Sequence, residues 1–485
     1  MNIALTIVHI FGIVTMGFGC LMATCFATSK LADDGATEAF YQGTLITFLS
    51  GVFMVLCTLN IAKSLSRQAG FLLVATTWSI TPIFCALPLL LHFPQMSFAD
   101  GYFEAVSALT TSGGTVLSGL DSLPVSVNLW RHELSWVAGM GVIIFAVAIL
   151  PILGIGGMQL YKAGMPGSVK ESELPPRIAQ TAKALWIVYA GMTAVCIVAL
   201  KWAGMGWFDA LCHAFSAMSL GGFSTHDSSI GFFNSVPIEV VLTVFQLLAG
   251  INFATHFIAL SKRDWRGYIT DSEARSFLLL VLCSCVLVAL MLLDAGIYAD
   301  FLTALRYASF NVVSMATDSG FVNQDFSHWP IFVPIWMLLL SCLSASSGST
   351  GGGIRMIRTI ILIKQARMEM FKFIHPYAVK SIKVGDSTIH SEVVASVTGF
   401  IFLYFISIVF LVLALLVSGL DFMTAFSAII ACFNNAGPGL NLVGPGHTYA
   451  VLTDYQTNVC SFAMLLGRVQ IYSILILFMP DFWRK

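Results

Sequence analysis

Charge is what this chain most lacks. Only 10% of its 485 residues are Asp, Glu, Lys or Arg, against about 25% in ordinary soluble domains. That shortage excludes a solvated globular surface over most of the length. Enzyme signatures are missing as well. There is no HExxH, no GxSxG and no Gly-Lys-Ser/Thr phosphate cradle, so an enzyme is the weakest reading. The eleven cysteines form no CxxC pair. The nearest two, Cys283 and Cys285, share one helical stretch, and all eleven read as small packing residues. The N-terminus has no basic start, and its apolar run at 3–26 is too long for a signal-peptide core. With a net charge of −1, no nucleic-acid partner is expected.

What the chain has in abundance is apolar length. Mean hydropathy is +0.86. Apolar stretches at 3–26, 40–61, 70–92, 126–152, 183–203, 236–260, 276–293, 331–362, 393–418 and 456–480 each reach or approach the ~20 residues that cross a hydrocarbon core as a helix. The expected fold is an all-α polytopic membrane protein. An N-terminus in the cytoplasm then puts nineteen basic residues on the cytoplasmic side. They are Lys63 and Arg67, then Lys162, Lys170, Arg177 and Lys183, then Lys262, Arg263, Arg266 and Arg275. Arg355, Arg358, Lys364, Arg367, Lys372, Lys380 and Lys383 follow, with Arg484 and Lys485 at the end. The positive-inside rule fixes that orientation, with both termini inside. Lys30, Arg131, Lys201 and Arg306 fall outside or near the outer edge. Most acidic residues, including Asp100, Glu104, Asp121, Asp209, Asp227, Asp300, Asp325 and Asp421, fall on the outer side too. They either concentrate cations at an outer mouth or are simply polar loop residues.

A fourfold repeat runs through this apolar background. Ala108-Leu-Thr-Thr-Ser-Gly113, Ala217-Met-Ser-Leu-Gly-Gly222, Met315-Ala-Thr-Asp-Ser-Gly320 and Phe433-Asn-Asn-Ala-Gly437 align on their final glycines. Thr110, Ser219, Thr317 and Asn434 fall in register, and so do Ser107, Ser216, Ser314 and Ala431. Ahead of each glycine lies a stretch too short to span: Phe98–Thr110, Trp207–Ser219, Asp300–Thr317 and Asp421–Asn434. Each unit reads helix, half-helix, loop, helix. The half-helix must enter from outside and return, and such backbone survives at membrane depth only when buried in protein or lining a watery cavity. Four units facing the same way can close around one axis.

The chemistry of that axis points to monovalent cations. Carbonyls at a short helix's C-terminal end carry the negative end of its dipole. Glycine lets the chain turn successive carbonyls one way, and collars of carbonyls replace a cation's hydration shell. The expected ligand set is Thr110, Thr111, Ser112 and Gly113; Ser219, Leu220, Gly221 and Gly222; Thr317, Asp318, Ser319 and Gly320; and Asn434, Asn435, Ala436 and Gly437. Asp318 is its only carboxylate, whereas a divalent site would use more. K+ is favoured over Na+.

On these residues the chain resembles the Trk/Ktr/HKT potassium transporters, and within them the bacterial TrkH-type membrane subunits. One filter glycine in each of four helix–pore helix–helix units is that family's hallmark. The extra helices at 3–61 and the pieces Leu220-Gly-Gly-Phe-Ser-Thr225 and Asn435-Ala-Gly-Pro-Gly439 are similar too. The resemblance covers nearly the whole chain. It implies four pseudo-symmetric pore repeats (70–179, 180–270, 271–390 and 391–485) behind an N-terminal helix pair (1–69). It further implies K+ passage in a bacterial inner membrane, a homodimer with one route per protomer, and a cytosolic nucleotide-binding regulatory subunit of the TrkA type. The basic segment Arg355–Lys383 would suit either docking of that subunit or attraction to anionic lipid.

A second informative segment is the run Ser344-Ala-Ser-Ser-Gly-Ser-Thr-Gly-Gly-Gly353, inside the helical stretch after the third filter glycine. Glycine disfavours helix by about 1 kcal/mol per residue against Ala, and non-helical chain there must line the cavity. Ser346, Ser347, Gly348, Ser349, Thr350, Gly351, Gly352 and Gly353 are read as a movable gate. The family has an intramembrane barrier loop at this place. Arg468 falls mid-way along the last helix, where an Arg normally faces a partner or a cavity. Its guanidinium could bond the loop's carbonyls, and the family carries a basic residue there. His213 is read as a packed, hydrogen-bonded residue rather than a proton carrier. Lys201 and Arg306 read as interfacial anchors. No carboxylate is expected mid-way along a spanning helix. Two functions stay open: a gated K+ pathway, and a proton- or sodium-coupled secondary transporter, which would favour inverted repeats and midplane acids.

Overall fold

The computed structural model describes residues 2–59, 67–144, 174–343, 345–377, 381–385, 387–469 and 471–484. Lys63, Lys162, Lys170, Lys380, Lys485, Ser344 and the end of the stretch at 126–152 lie outside them. The described helices of ten or more residues are, in chain order, α1 (Asn2–Ala32), α2 (Thr37–Leu56), α3 (Arg67–His92), α4 (Phe98–Leu109), α5 (Val125–Ile144), α6 (Leu174–Trp202), α7 (Trp207–Ser219), α8 (Val236–Ala249) and α9 (Phe253–Lys262). Then come α10 (Ser272–Asp294), α11 (Phe301–Ala316), α12 (Phe332–Leu343), α13 (Met356–Ile374), α14 (Ser391–Val417), α15 (Phe422–Asn434) and α16 (Asp454–Arg468). Among the described residues the sheet content is one hairpin, with Ile382 pairing Ile389 and Val384 pairing Ser387. Its apolar side packs on Ile357 and Ile361 of α13. The chain is an all-α, multi-pass membrane protein.

The ten expected spans resolve differently. Six described helices are long and apolar enough to cross alone: Ala4–Ala32, Thr37–Leu56, Gln68–His92, Gln180–Trp202, Ser272–Asp294 and Ser391–Val417. The stretch at 236–260 bends by 95° between α8 and α9, and the stretch at 456–480 bends by 112° after α16. The stretch at 331–362 is interrupted between Leu343 and Met356. Arg468 therefore ends its helix instead of sitting mid-way along it. Beside it, Gly467 lies so close to the Phe433 carbonyl that any Cβ would overlap it. The expectation about carboxylates also fails at one point. Glu133 sits inside α5, where both its oxygens accept from the Thr24 hydroxyl at 3.0 and 2.8 Å.

The four half-helices are α4, α7, α11 and α15. Side-chain caps start three of them: Ser97 accepts from the Asp100 amide, Asp300 from Thr303 and Asp421 from Thr424. Asp300 and Asp421 are thus tied to helix starts, where a negative charge also meets the positive end of the dipole. Their far ends are buried in protein, including Ala108, Ala217, Ala316 and Phe433. That burial is what lets a twelve- or thirteen-residue helix stop inside the membrane.

Outside the four repeats, α1 and α2 pack through small residues. A Cβ on Gly51 would lie 2.7 Å from the Gly12 carbonyl oxygen, and one on Gly12 would lie 2.9 Å from the Met54 Cβ. Backbones this close are how apolar helices associate where lipid is as apolar as they are. Gly17 meets nothing within 4 Å. Gly51→Leu is expected to destabilise the protein by about 2 kcal/mol through overpacking, and Gly17→Leu is expected to be tolerated. Thermal unfolding in detergent tests this, and equal melting temperatures for the two variants would refute the packing account.

Candidate functional site: four loops around one axis

The four half-helices end alike. The Ser112 amide donates to Ser107 O at 2.8 Å, Gly221 to Ser216 O at 2.9 Å, Ser319 to Ser314 O at 2.8 Å and Ala436 to Ala431 O at 2.8 Å. The register read from sequence is thus a register of hydrogen bonds. In each turn one residue is left-handed: Thr111 (φ 53°), Leu220 (56°), Asp318 (61°) and Asn435 (60°). Two residues later the glycines are left-handed as well, with φ between 66° and 82°. The first set costs strain, because L-residues with a Cβ disfavour this region by roughly 1–2 kcal/mol each. The glycines avoid it.

Glycine has a second reason to be there. A Cβ on Gly113 would stand 2.6 Å from the Gly221 oxygen, one on Gly320 2.8 Å from the Ala436 oxygen, and one on Gly437 2.9 Å from the Ser112 oxygen. On Gly222 it would overlap the Ser319 oxygen. Each glycine therefore abuts a carbonyl of the next loop. The order is first to second, second to third, third to fourth, and fourth back to first. The four loops close a ring.

Side chains in these loops mostly turn back into the protein. Thr110 Oγ1 donates to Val106 O at 2.7 Å, and Thr317 Oγ1 to Val313 O at 2.8 Å. Ser219 Oγ meets Ser135 Oγ at 2.9 Å and donates to Phe215 O at 2.8 Å. Asn434 accepts from the Tyr404 hydroxyl at 2.5 Å and donates to Ser341 Oγ at 3.0 Å. Asn435 donates to Ser112 Oγ at 2.6 Å, joining the fourth loop to the first. Ser319 Oγ accepts from Gln246 at 3.1 Å.

On one side of the ring a cavity is lined by Gly113, Gly222, Gly320 and Gly437 together, with Arg131, His226, Asp227 and Tyr449 at its walls. The acidic residues there do not all supply free charge. Glu104 is fully buried and pairs with Arg131 at 2.7 Å. Arg131 is accordingly buried and paired where it lines the cavity, and Glu104 adds nothing uncompensated to it. Asp121 hydrogen-bonds His226, which holds its carboxyl below the usual carboxylate range. Asp227 accepts from the Leu120 amide at 3.1 Å. Of the two expected anchors, Lys201 lies over the Trp207 ring at 5.4 Å. Arg306 instead pairs with Glu239 at 2.7 Å.

On the opposite side lies the small-residue loop. Thr350 donates its hydroxyl to Met218 O at 3.1 Å, and the Gly352 amide donates to Asp318 Oδ2 at 3.0 Å. A Cβ on Gly351 would stand 3.2 Å from Thr317 O, and one on Gly352 would overlap Asn434 O. The loop is thus pressed against the ends of α7, α11 and α15. Arg468 Nη1 donates to Thr350 O at 2.8 Å, so the sequence pairing of Arg468 with this loop holds even though its helix ends there. Among the described residues, its Nε and Nη2, and Asp318 Oδ1, are buried without a hydrogen-bond partner.

Several members of this assembly were not read from the sequence. Glu273 Oε1 accepts from the Ser347 amide at 2.6 Å and the Ile357 amide at 3.0 Å, stapling both ends of the loop. The Ser346 amide donates to Gly250 O at 3.0 Å, and Phe253 to Gly348 O at 3.1 Å. Nothing in the local pattern marks Glu273, whose partners lie more than 70 residues away. Tyr449, whose hydroxyl donates to Gly437 O at 3.0 Å, lies twelve residues past that glycine and outside the repeated motif.

Residues 37–485 match the family described as TrkH, cation transport protein. The Trk system potassium uptake protein TrkH of Halomonas elongata is 41% identical over 99% of each chain. The protein of that name from Salmonella typhimurium is 39% identical, again over 99% of each. The crystal structure of the potassium transporter TrkH from Vibrio parahaemolyticus superposes with a TM-score of 0.91 at 38% identity, covering 99% of both chains.

The Glu273 staple generates a structural expectation. Glu273→Ala leaves the part-buried Ser347 amide and the buried Ile357 amide unpaired, at up to about 1–3 kcal/mol each. Hydrogen exchange of amides 345–357 should accelerate by at least about tenfold. Unaltered exchange in a folded variant would show that the loop is held elsewhere.

Proposed function

We propose, from the premise that this chain belongs to the TrkH family of cation transport proteins, that it takes up potassium through the ring of four loops, with the segment 345–353 as a movable barrier beneath. One observation carries the reading: the glycines close a cycle in which every Cβ-free position abuts the neighbouring loop's carbonyl. Such a collar offers a dehydrating cation main-chain oxygens in place of water. The loop side chains support it, since Thr110, Ser219, Thr317 and Asn434 spend their polar groups on the surrounding helices. K+ is the substrate, with related monovalent cations passing less well.

The barrier reading rests on the loop's contacts. Thr350, Gly351 and Gly352 sit against the inner ends of three pore helices. Arg468 holds the loop through one carbonyl, and its positive charge opposes a cation on the same path. The positive-inside rule places both termini and the α13 hairpin region in the cytoplasm of a bacterial inner membrane. There the basic face around Lys364, Arg367 and Lys383 suits a nucleotide-binding regulatory subunit of the TrkA type. A homodimer with one path per protomer is part of the same proposal.

The test is rubidium uptake into vesicles containing the purified chain, with and without its regulatory subunit. Flux should follow the electrochemical gradient at fixed pH and Na+; flux that needs a proton or sodium gradient would overturn the channel-like reading. Arg468→Ala removes a charge-assisted hydrogen bond worth about 1.5 kcal/mol and is expected to raise basal flux by about tenfold. Deletion within Ser346–Gly352 should do the same. Unchanged flux in Arg468→Ala, or a silent pore after the deletion, would end the barrier proposal.

A further inference from the structure

A second register lies behind the ring. Nine residues before the filter glycine stand Glu104, His213 and Asn311 in the first three repeats, and ten before it stands Ser427 in the fourth. All four are fully buried. Each reaches across to the chain leaving its own filter, two or three residues past the glycine. Glu104 accepts from the Thr115 hydroxyl at 3.0 Å and the Val116 amide at 3.0 Å. His213 Nε2 meets Ser224 Oγ at 2.9 Å while Nδ1 faces Asp209 O at 2.8 Å, so Nδ1 carries the proton and Ser224 donates. The Asn311 amide donates to Asn323 Oδ1 at 2.7 Å. Ser427 Oγ accepts from the Leu440 amide at 2.9 Å. Different chemistry thus performs one geometric task four times: it joins the pore helix to the outgoing chain, with the carbonyl-bearing loop between.

We propose that these four cross-links are specificity-determining positioning residues, setting how far the carbonyl collar can shrink around a cation. The proposal rests on the four loops being a K+ filter. Na+ is smaller than K+, and a collar free to contract would serve both. Each loop is pinned at its inner end by the helix-terminating amide bond and at its outer end by the cross-link. The first cross-link is the most heavily braced. Arg131 Nε donates to Glu104 at 2.7 Å, its Nη2 donates to Thr115 Oγ1 at 3.0 Å, and its guanidinium lies 4.5 Å over Phe223, the residue after Gly222. The Tyr449 amide donates to Thr115 O at 2.8 Å, and the Tyr449 hydroxyl to Gly437 O at 3.0 Å. Through Arg131 and Tyr449 the exits of the first, second and fourth loops are one network.

The readout is the ratio of K+ to Na+ flux in vesicles, which a merely structural role would not move. Glu104→Gln alone leaves Arg131 unpaired in the interior and risks misfolding. The informative variants are therefore Ser427→Ala, Asn311→Ala, and Glu104→Gln combined with Arg131→Met, which leaves no lone charge. Folding is checked by elution profile and melting temperature, and Ser427→Ala removes a single hydroxyl. The ratio should fall by about threefold for Ser427→Ala and about tenfold for the paired variant, with Asn311→Ala between them and total Na+ flux rising. Ser427→Thr, which keeps the hydroxyl, should restore the ratio. Folded variants with the wild-type ratio would overturn the proposal, provided that wild type prefers K+ and Gly320→Ser abolishes the preference. If wild type itself shows no preference, the filter reading fails, and this proposal falls with it.

Discussion

The contact between a glycine Cα and its neighbour's carbonyl oxygen is the constraint on which the rest of this structure depends. Four chain segments must approach one axis closely enough for main-chain oxygens to face a common space. Any Cβ at Gly113, Gly222, Gly320 or Gly437 would collide with the adjacent loop. Close approach in turn demands left-handed backbone at eight positions, four of them not glycine. That strain persists only because the surroundings over-determine it. The pore helices supply part of the determination through their terminal amide bonds, and the helices behind supply the remainder. Ser135, Gln246, Ser341 and Tyr404 come from four different elements, and each holds one loop's side chain.

A buried loop at membrane depth carries a second obligation, since its amides and carbonyls find no water in hydrocarbon. The broken helices discharge it. The bend between α8 and α9 frees Gly250 O and the Phe253 amide, and both bond the loop. The end of α16 brings Arg468 to Thr350 O. The N-terminal turn of α10 brings Glu273 to Ser347 and Ile357. Breaks in the stretches at 236–260, 331–362 and 456–480 are therefore one feature seen three times. Each interruption supplies or uses the partners that another interruption leaves open.

The register of the four loops was legible because it is local. The glycine, the capping position and the left-handed turn lie within six residues, and a sequence repeat preserves them together. The half-helix boundaries followed to within a residue or two for the same reason: α7 runs Trp207–Ser219 and α15 ends at Asn434. The bend at Gly250 was hidden because one glycine in Leu247-Leu-Ala-Gly-Ile251 leaves the apolar pattern intact, and its cause is a loop about a hundred residues away. The pairing of Glu104 with Arg131 was missed because hydropathy counts charges one by one. A pair that neutralises itself at 2.7 Å costs the interior far less than two separate ions would. The cross-link column was within reach, since carrying the glycine alignment three residues further back aligns Glu104, His213 and Asn311. Apolar-pattern reasoning discards that column because the three side chains share no charge, size or class.

That discarded column shows what a single-chain ring permits. Four identical subunits would have to repeat one solution at every position, whereas four unequal repeats need to agree only where backbone geometry is shared. Agreement in residue or backbone geometry here falls on the glycines, the left-handed residues and the terminal amide bonds, while the cross-links share a place but not a chemistry. Everything that touches the ring from outside is free to differ, and it does. The left-handed position holds Thr111, Leu220, Asp318 and Asn435, and only Asp318 can accept the Gly352 amide through a carboxylate. The loop beneath accordingly leans on the second, third and fourth repeats, through Met218, Asp318, Asn434 and Arg468. The loop is thus held by three of the four repeats, through bonds that differ in kind from one repeat to the next. Symmetry is kept in the ring of main-chain oxygens, and given up where the small-residue loop meets it.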